Sequence, residues 1–203
     1  MNTTKLTRIR LSCLSAGVCA MLLGALVGCE TTSTDSSAGS SSGPSAGAAA
    51  VTRAAPVTAS AQLKPTQGNT ATGTAWFTQQ GLRVDVRVQV SGLTPNQEHG
   101  FHVHEKGDCS SPDGMSAGGH FDPGGRPHGP QNAPHHGGDM PSLKADAAGN
   151  AQASFQIEGV SVGTGIDGLL GRGVIVHAKP DDYKTQPTGN SGARIACGVI
   201  SSS

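Results

Sequence analysis

The sequence predicts an all-β domain, a sandwich or a barrel, with two long irregular loops. Every second residue from Leu82 to Val90 is Leu or Val, and the residues between them are charged or polar. This alternation is typical of an antiparallel strand with one buried and one solvated face. The 203 residues include 30 Gly and only 3% aromatic residues, which indicates an aliphatic core and many turns. No stretch of useful length shows helical periodicity.

Six further segments have strand character, and turn-forming residues separate them. They span residues 57–63, 73–78, 100–104, 151–157, 174–177 and 194–200. Turn signals such as Thr94-Pro95-Asn96 and Ala148-Gly149-Asn150 lie between them. Residues 105–143 and 180–193 do not fit strands. Long loops in a compact domain are usually functional or disordered, and the histidines described below favour function.

The N-terminus has the pattern of a bacterial lipoprotein signal. Lys5, Arg8 and Arg10 precede an apolar run over residues 11–28, as in a secretory signal peptide. A membrane-spanning anchor is the alternative, because about 20 apolar residues can cross a bilayer, but Ser and Gly residues make this run a poor one. The run ends at Leu26-Val27-Gly28-Cys29, which resembles a lipobox. Residues 1–28 are therefore predicted to be removed, and Cys29 is predicted to carry a lipid that anchors the protein to a membrane.

Residues 29–53 are predicted to form a disordered tether. They are almost entirely Ser, Thr, Gly and Ala, and such a stretch cannot bury enough apolar surface to offset the entropy of ordering. The folded domain is expected to span residues 54–203. Together these features predict an exported protein, held in the periplasm or cell envelope.

The charge balance excludes nucleic acid as a partner. Removal of the signal leaves 11 basic side chains against 14 acidic ones, so the mature chain is mildly acidic. No basic stripe of the kind that binds nucleic acid is present.

Two cysteines remain in the predicted domain after Cys13, Cys19 and Cys29 are assigned to the signal and the lipid site. Cys109 and Cys197 suggest one disulfide in an exported domain, with two free thiols as the alternative. A bridge that closes a loop of this length stabilises the fold by about 4 kcal/mol on the chain-entropy model.

Six of the eight histidines form an ordered pattern: His102, His104, His120, His128, His136 and His177. In the strand Phe101-His102-Val103-His104 both imidazoles project from one face and both apolar side chains from the other. The apolar pair is expected to fill the core. The histidines are then expected on the outer wall, where a loop can cover them.

The loop that follows carries three imidazoles and a carboxylate. His120, His128, His136 and Asp139 lie in a stretch too rich in Gly and Pro to be a helix. These ligands match a closed tetrahedral zinc site, because zinc accepts nitrogen and oxygen donors without geometric preference. A His-rich low-complexity tract is the alternative, and it does not explain the isolated Asp139. His177 ends a third element, the apolar strand Val174-Ile175-Val176-His177.

Four motifs in this order resemble the copper/zinc superoxide dismutases. They are Phe101-His102-Val103-His104-Glu105, Ser116-Ala117-Gly118-Gly119-His120-Phe121, His136-Gly137-Gly138-Asp139 and the segment from Gly189 to Ile200. The resemblance covers residue 54 to the C-terminus. It implies an eight-stranded antiparallel Greek-key β-barrel, an immunoglobulin-like sandwich architecture for which this family is a known example.

The resemblance also implies the metal ligands, one copper ion and one zinc ion per subunit. Copper is expected on His102, His104, His120 and His177, and zinc on His120, His128, His136 and Asp139, with His120 shared between them. Four imidazoles suit Cu(II). His135 lies beside His136, and the His-Gly-Gly-Asp spacing favours His136.

Further roles follow from the same resemblance. Asp181 is expected to link His102 and His128, which fixes the orientation of both rings. Cys109 and Cys197 match the family's disulfide. Arg194 matches the arginine at the mouth of the copper channel and Thr188 its neutral wall. Lys184 could add positive potential there or be an ordinary solvated lysine, and His99 has no assigned role.

The implied reaction converts superoxide to oxygen and hydrogen peroxide, with His120 and Arg194 as the catalytic residues, and protects the cell envelope from oxidative damage. The alternative is a non-catalytic copper-binding or copper-storage protein of the envelope, which would tolerate loss of Arg194. Members of the family occur as monomers and as homodimers, and no periodic apolar patch decides between the two.

Overall fold

The computed structural model of the protein describes residues 54–203. The predicted signal peptide, the lipid site Cys29 and the tether lie outside the described residues. Within residues 54–203 the short 3-10 turn Met115–Ala117 is the only helical element, and no helix there is long and apolar enough to cross a membrane. The strands are β1 (Thr58–Pro65), β2 (Thr72–Gln80), β3 (Arg83–Ser91), β4 (Glu98–His99), β5 (Phe101–His104), β6 (Leu143–Lys144), β7 (Ala151–Glu158), β8 (Gly173–His177) and β9 (Arg194–Ser202).

The strands form an antiparallel barrel of the Greek-key type. Seven of them pair in the order β5-β8-β9-β1-β2-β3-β7, and β4 pairs with β6. Gly100 alone separates β4 from β5, and β6 leads through a tight turn into β7. The β4–β6 pair therefore joins the two edges of the seven-stranded sheet. With β4 and β5 counted as one interrupted strand, the barrel has eight strands, in agreement with the sequence-based prediction.

The alternating segment forms β3, with one correction at its start. Val84, Val86, Val88 and Val90 are all buried, and the residues between them face outward. The alternation predicts that Leu82 continues the buried row, but Leu82 is 93% exposed. The β2–β3 hairpin register pairs Gln80 with Arg83, so Leu82 lies in the two-residue turn and has no place on the inner face. Positive φ at Gly81 is the conformation that such a tight turn requires.

The two predicted loops are confirmed and lie next to each other on the barrel. The loop between β5 and β6 and the loop between β8 and β9 contain no strand. Phe101 and Val103 of β5 are completely buried in the hydrophobic core. His102 and His104 project from the other face of the same strand, and they too are completely buried, which shows that the loops cover this side of the barrel.

Candidate metal centre

The loop between β5 and β6, residues 105–142, is called the metal loop below, and it reaches the barrel because it pairs with β5 as two short extended segments. Phe121 N donates to Val103 O at 2.9 Å, and Val103 N donates to Gly138 O at 2.8 Å. These bonds form isolated bridges that place His120 opposite His104 and Asp139 opposite His102. Residues that are distant in sequence therefore meet on the outer face of one strand.

The first cluster contains four imidazoles. His102, His104, His120 and His177 each offer a ring nitrogen, and these four nitrogens lie within 4.8 Å of one another. His104 Nδ1 donates to Gly118 O at 3.0 Å, and His177 Nδ1 donates to Gly192 O at 3.2 Å. A carbonyl only accepts, so these bonds fix the tautomer and leave Nε2 of both rings with its lone pair.

The second cluster shares His120 with the first and adds His128, His136 and Asp139. Asp139 Oδ1 lies 2.8 Å from His120 Nδ1, 2.9 Å from His128 Nδ1 and 3.3 Å from His136 Nδ1. Asp139 Oδ2 accepts from the backbone N–H of Gly129 and of His136. Asp139 thus bonds to two imidazoles and two backbone groups, while His136 Nδ1 lies nearby without a hydrogen-bond partner in residues 54–203.

The electrostatics of the two clusters differ. Burial lowers the pKa of His120 to about 4 and lowers the pKa of His102, His104 and His177, so all four rings are neutral near pH 7, the form that binds metals. Burial alone would also lower the pKa of His128, but hydrogen bonds to Asp139 and Asp181 raise it to about 9. The second cluster therefore differs from the first in containing a ring whose pKa is raised.

Asp181 joins the clusters from the loop between β8 and β9. Its carboxylate accepts from His102 Nε2 at 2.7 Å and from His128 Nε2 at 2.9 Å, and its side chain is completely buried. These hydrogen bonds hold the pKa of Asp181 below its usual range despite burial. Gly189, at φ +63°, packs directly against this carboxylate, and a Cβ there would collide with it. The close approach explains why glycine occupies this position.

The donor set fits two metal ions. Each imidazole of the first cluster has one ring nitrogen that is hydrogen-bonded and one that is buried without a partner in residues 54–203; the unpartnered atoms are His102 Nδ1 and the Nε2 atoms of His104, His120 and His177. Buried polar groups are rarely left unsatisfied, and each needs an explanation. Four unpartnered nitrogens from neighbouring rings are what a metal with imidazole ligands requires.

A cavity of about 570 Å³ opens beside the first cluster. His177, Thr188 and Arg194 line it, together with residues of the β1–β2 turn. Arg194 donates from Nη1 to Gly114 O at 2.8 Å and from Nη2 to Gly118 O at 2.6 Å. The guanidinium is therefore held in place by neutral carbonyls, and the carboxylate of Asp113 lines the same cavity and attracts it electrostatically. Lys184 is exposed and does not line the cavity.

The remaining histidines lie outside both clusters. His135 Nδ1 donates to Ala133 O at 2.7 Å, so this ring is engaged locally while its neighbour His136 joins the second cluster. His99 is completely buried, and its Nδ1 donates to His177 O at 2.8 Å. It supports the backbone of a cluster residue, a role that no motif in the sequence indicates.

Cys109 and Cys197 form a disulfide, with a Cα–Cα distance of 5.8 Å. The bridge connects the loop after β5 to β9, and the alternative of two free thiols is thereby excluded. The sequence separation of 88 residues means that it closes most of the domain into one loop.

Comparisons with known proteins agree with this site. The family model described as copper/zinc superoxide dismutase matches residues 71–200. Superoxide dismutase [Cu-Zn] 2 of Aquifex aeolicus is 40% identical over 147 residues, which cover 70% of this chain and 85% of that protein. The extracellular superoxide dismutase [Cu-Zn] of Drosophila melanogaster is 40% identical over 163 residues, 74% of this chain and 88% of that protein.

Among solved structures, a double mutant of a superoxide dismutase-like protein from Bacillus subtilis is similar with a TM-score of 0.60 and 38% identity, covering 69% of this chain and 95% of that one. The fold, the two clusters of metal-binding side chains and these relatives lead to one conclusion. The chain is an oxidoreductase that uses copper and zinc to convert superoxide to oxygen and hydrogen peroxide, and it belongs to the copper/zinc superoxide dismutase family.

Proposed function

We propose that His102, His104, His120 and His177 hold the copper ion, and that His120, His128, His136 and Asp139 hold the zinc ion. The observation that carries this assignment is the set of buried ring nitrogens without partners in the first cluster. His120 belongs to both clusters, so its two ring nitrogens would serve one metal each. Asp181 would orient His102 and His128 from behind, as partners of ligating histidines do.

When bound, the copper ion supplies the alternating one-electron reduction and oxidation that disproportionates superoxide. The residues around it perform the other tasks. His120 Nε2 is buried and has no hydrogen-bond partner within residues 54–203, so it would carry a proton to the reduced oxygen species when it is not bound to copper. The zinc ligands fix the position of His120 from its Nδ1 side. Arg194 would attract the small anion into the cavity beside His177.

Metal analysis of two neighbouring variants tests the zinc assignment. We expect His136→Ala to lose most of its zinc and keep its copper, because only the second cluster contains His136. His135→Ala is the matched control: it removes the adjacent imidazole, which bonds to Ala133 O, and should retain both metals. Mass spectrometry of the purified full-length proteins measures both contents. Zinc loss in H135A with retention in H136A would reverse the assignment.

The second candidate function, a non-catalytic copper store, has less support. Every ligand position carries a metal-binding side chain, and Arg194 lines the cavity beside them. A store needs neither the arginine nor a second metal.

The protein is of an exported type, and we propose the periplasm or cell envelope as its location, with lipid attachment at Cys29. The disulfide is typical of oxidising compartments. The lipobox-like sequence ending at Cys29 supports the anchor. Metabolic labelling with a radioactive fatty acid tests it: the parent should incorporate label and Cys29→Ser should not. Equal labelling of both proteins would contradict the proposal.

For the homodimer, we propose the barrel end that carries Leu82 and Ile166. Both side chains are highly exposed, at 93% and 80%. The ion pair between Arg83 and Glu158, at 2.8 Å, places the β2–β3 turn beside the end of β7, and Glu158 lines a small cavity together with Ile166. Exposed apolar side chains at one end of the barrel suit a self-complementary contact. Sedimentation velocity should show a dimer for the parent and a monomer for the double variant L82S/I166S; a monomeric parent would contradict the proposal.

A further inference from the structure

Gln186 lies in the loop between β8 and β9, and its side-chain amide pairs with the backbone of His128. His128 N donates to Gln186 Oε1 at 2.8 Å, and Gln186 Nε2 donates to His128 O at 2.8 Å. The two residues are 58 positions apart in sequence. One amide thus satisfies both backbone groups of one residue, in the manner of a paired strand.

No other hydrogen bond reaches these two backbone groups within residues 54–203. His128 is only 3% exposed, so its backbone N–H and C=O cannot rely on bulk water. Buried backbone groups in native proteins are almost always paired. Gln186 therefore supplies the whole backbone support of His128 in a loop segment that has no regular secondary structure of its own.

A second residue of the same loop, Asp181, supports the imidazole ring of His128. Asp181 Oδ1 accepts from His128 Nε2 at 2.9 Å, while His128 Nδ1 faces Asp139. With the ring held by Asp181 and the backbone held by Gln186, the ring has one orientation, in which Nδ1 points into the second cluster.

We infer that Gln186 is a positioning residue for the zinc ion, acting through His128. The inference rests on the ligand assignment proposed above. It assigns to Gln186 a role in zinc affinity that the copper cluster does not share, because Gln186 has no hydrogen bond with His104, His120 or His177.

A second set of hydrogen bonds holds the same loop without Gln186. The effect of Gln186 on zinc affinity can therefore be measured separately from loop folding. Ser142 N donates to the Tyr183 hydroxyl at 2.8 Å, and that hydroxyl donates to Ser142 Oγ at 3.2 Å. Tyr183 N also donates to Asp181 Oδ1 at 2.7 Å. These bonds keep Asp181 in place when Gln186 is changed, so its bond to His102 should survive.

Competition with a chromophoric zinc chelator on the full chain tests the inference. Gln186→Leu keeps the approximate volume and removes both hydrogen bonds, and we expect zinc affinity to fall about 10-fold or more, the range for partners that orient metal ligands. Gln186→Glu keeps the acceptor for His128 N and should show a smaller loss. Copper affinity, measured in parallel, should change less than about 2-fold.

Gln156→Leu is the matched control, because Gln156 is an exposed residue of β7 that bonds to Asp85 on the side of the barrel. It should leave zinc affinity unchanged. The unfolding temperature of each metal-free variant separates positioning from general destabilisation.

Zinc affinity in Q186L within 2-fold of the parent, or an equal loss of copper and zinc affinity, would overturn the inference. Failure of the parent itself to bind zinc would refute the ligand assignment instead. If Q186L does not fold, the loss of zinc affinity in Q186E tests the inference on its own.

Discussion

At the scale of single residues, the two ring nitrogens of each imidazole in the first cluster have different roles. In His104 and His177 the Nδ1 atom donates to a backbone carbonyl, which fixes the tautomer and the direction of Nε2. In His102 the roles of the two nitrogens are exchanged, because Nε2 bonds to Asp181 and Nδ1 is the unpartnered atom. The sequence predicts which residues gather, but not which nitrogen each one presents.

Arg194 places a cationic side chain beside the first cluster, in a cavity that Asp113 also lines. Its guanidinium bonds to two carbonyls at the cavity that leads to His177. We expect Arg194→Glu to lower kcat/KM for superoxide at least about 10-fold, because reversing a charge at a channel mouth replaces attraction by repulsion; such steering is an established property of this family. Metal content should not change.

Arg87→Glu provides the control for net charge, since Arg87 is exposed on β3 away from the cavity. It should change the rate much less than R194E. Pulse radiolysis at two ionic strengths measures both variants. Unchanged turnover in R194E with full metal content would refute the steering role.

At the scale of elements, the register of β3 determines which aliphatic side chains contribute to stability. Val84 is completely buried, whereas Leu82, two positions earlier in the same alternating pattern, is 93% exposed. We expect Val84→Ala to lower the free energy of unfolding by about 2 kcal/mol, from lost burial and the cavity that remains.

Leu82→Ala removes more carbon atoms but should cost less than about 0.5 kcal/mol, as surface substitutions generally do. Urea denaturation of the metal-loaded proteins compares the two. Equal losses for V84A and L82A would contradict the register described for the β2–β3 hairpin.

Elements are predictable from sequence to the extent that they have their own pattern. The seven longer strands follow alternation and turn residues, and all seven form. The two-residue strands β4 and β6 are too short to show any alternation, so no sequence pattern indicates the pair that closes the barrel. The prediction for Leu82 is wrong because alternation cannot show where a strand ends and a tight turn begins.

The candidate site shows the same limit. The histidines are recognisable because their order and spacing resemble a known family. Gln186 and His99 are not, because an amide or imidazole that supports a backbone group can come from any loop and carries no motif. Their roles depend on contacts between segments 58 and 78 residues apart.

At the scale of the whole molecule, a rigid barrel holds two loops against one outer face. Asp181 bonds to one histidine of the barrel, His102, and to one of the metal loop, His128. Asp139 contacts the histidines of the metal loop, and the Cys109–Cys197 bridge ties the start of that loop to β9. The site is therefore assembled from residues 102 to 194, a large share of the domain, and it depends on the complete fold.

The most direct test of this account is the decay of superoxide, followed by absorbance after pulse radiolysis, on the full chain loaded with copper and zinc. We expect catalytic decay with a second-order rate constant on the order of 10⁸–10⁹ M⁻¹s⁻¹, near the diffusional ceiling that this enzyme family is known to reach. Slow decay that consumes about one superoxide per bound copper, with both metals present, would contradict the account and favour a copper-binding protein without catalysis.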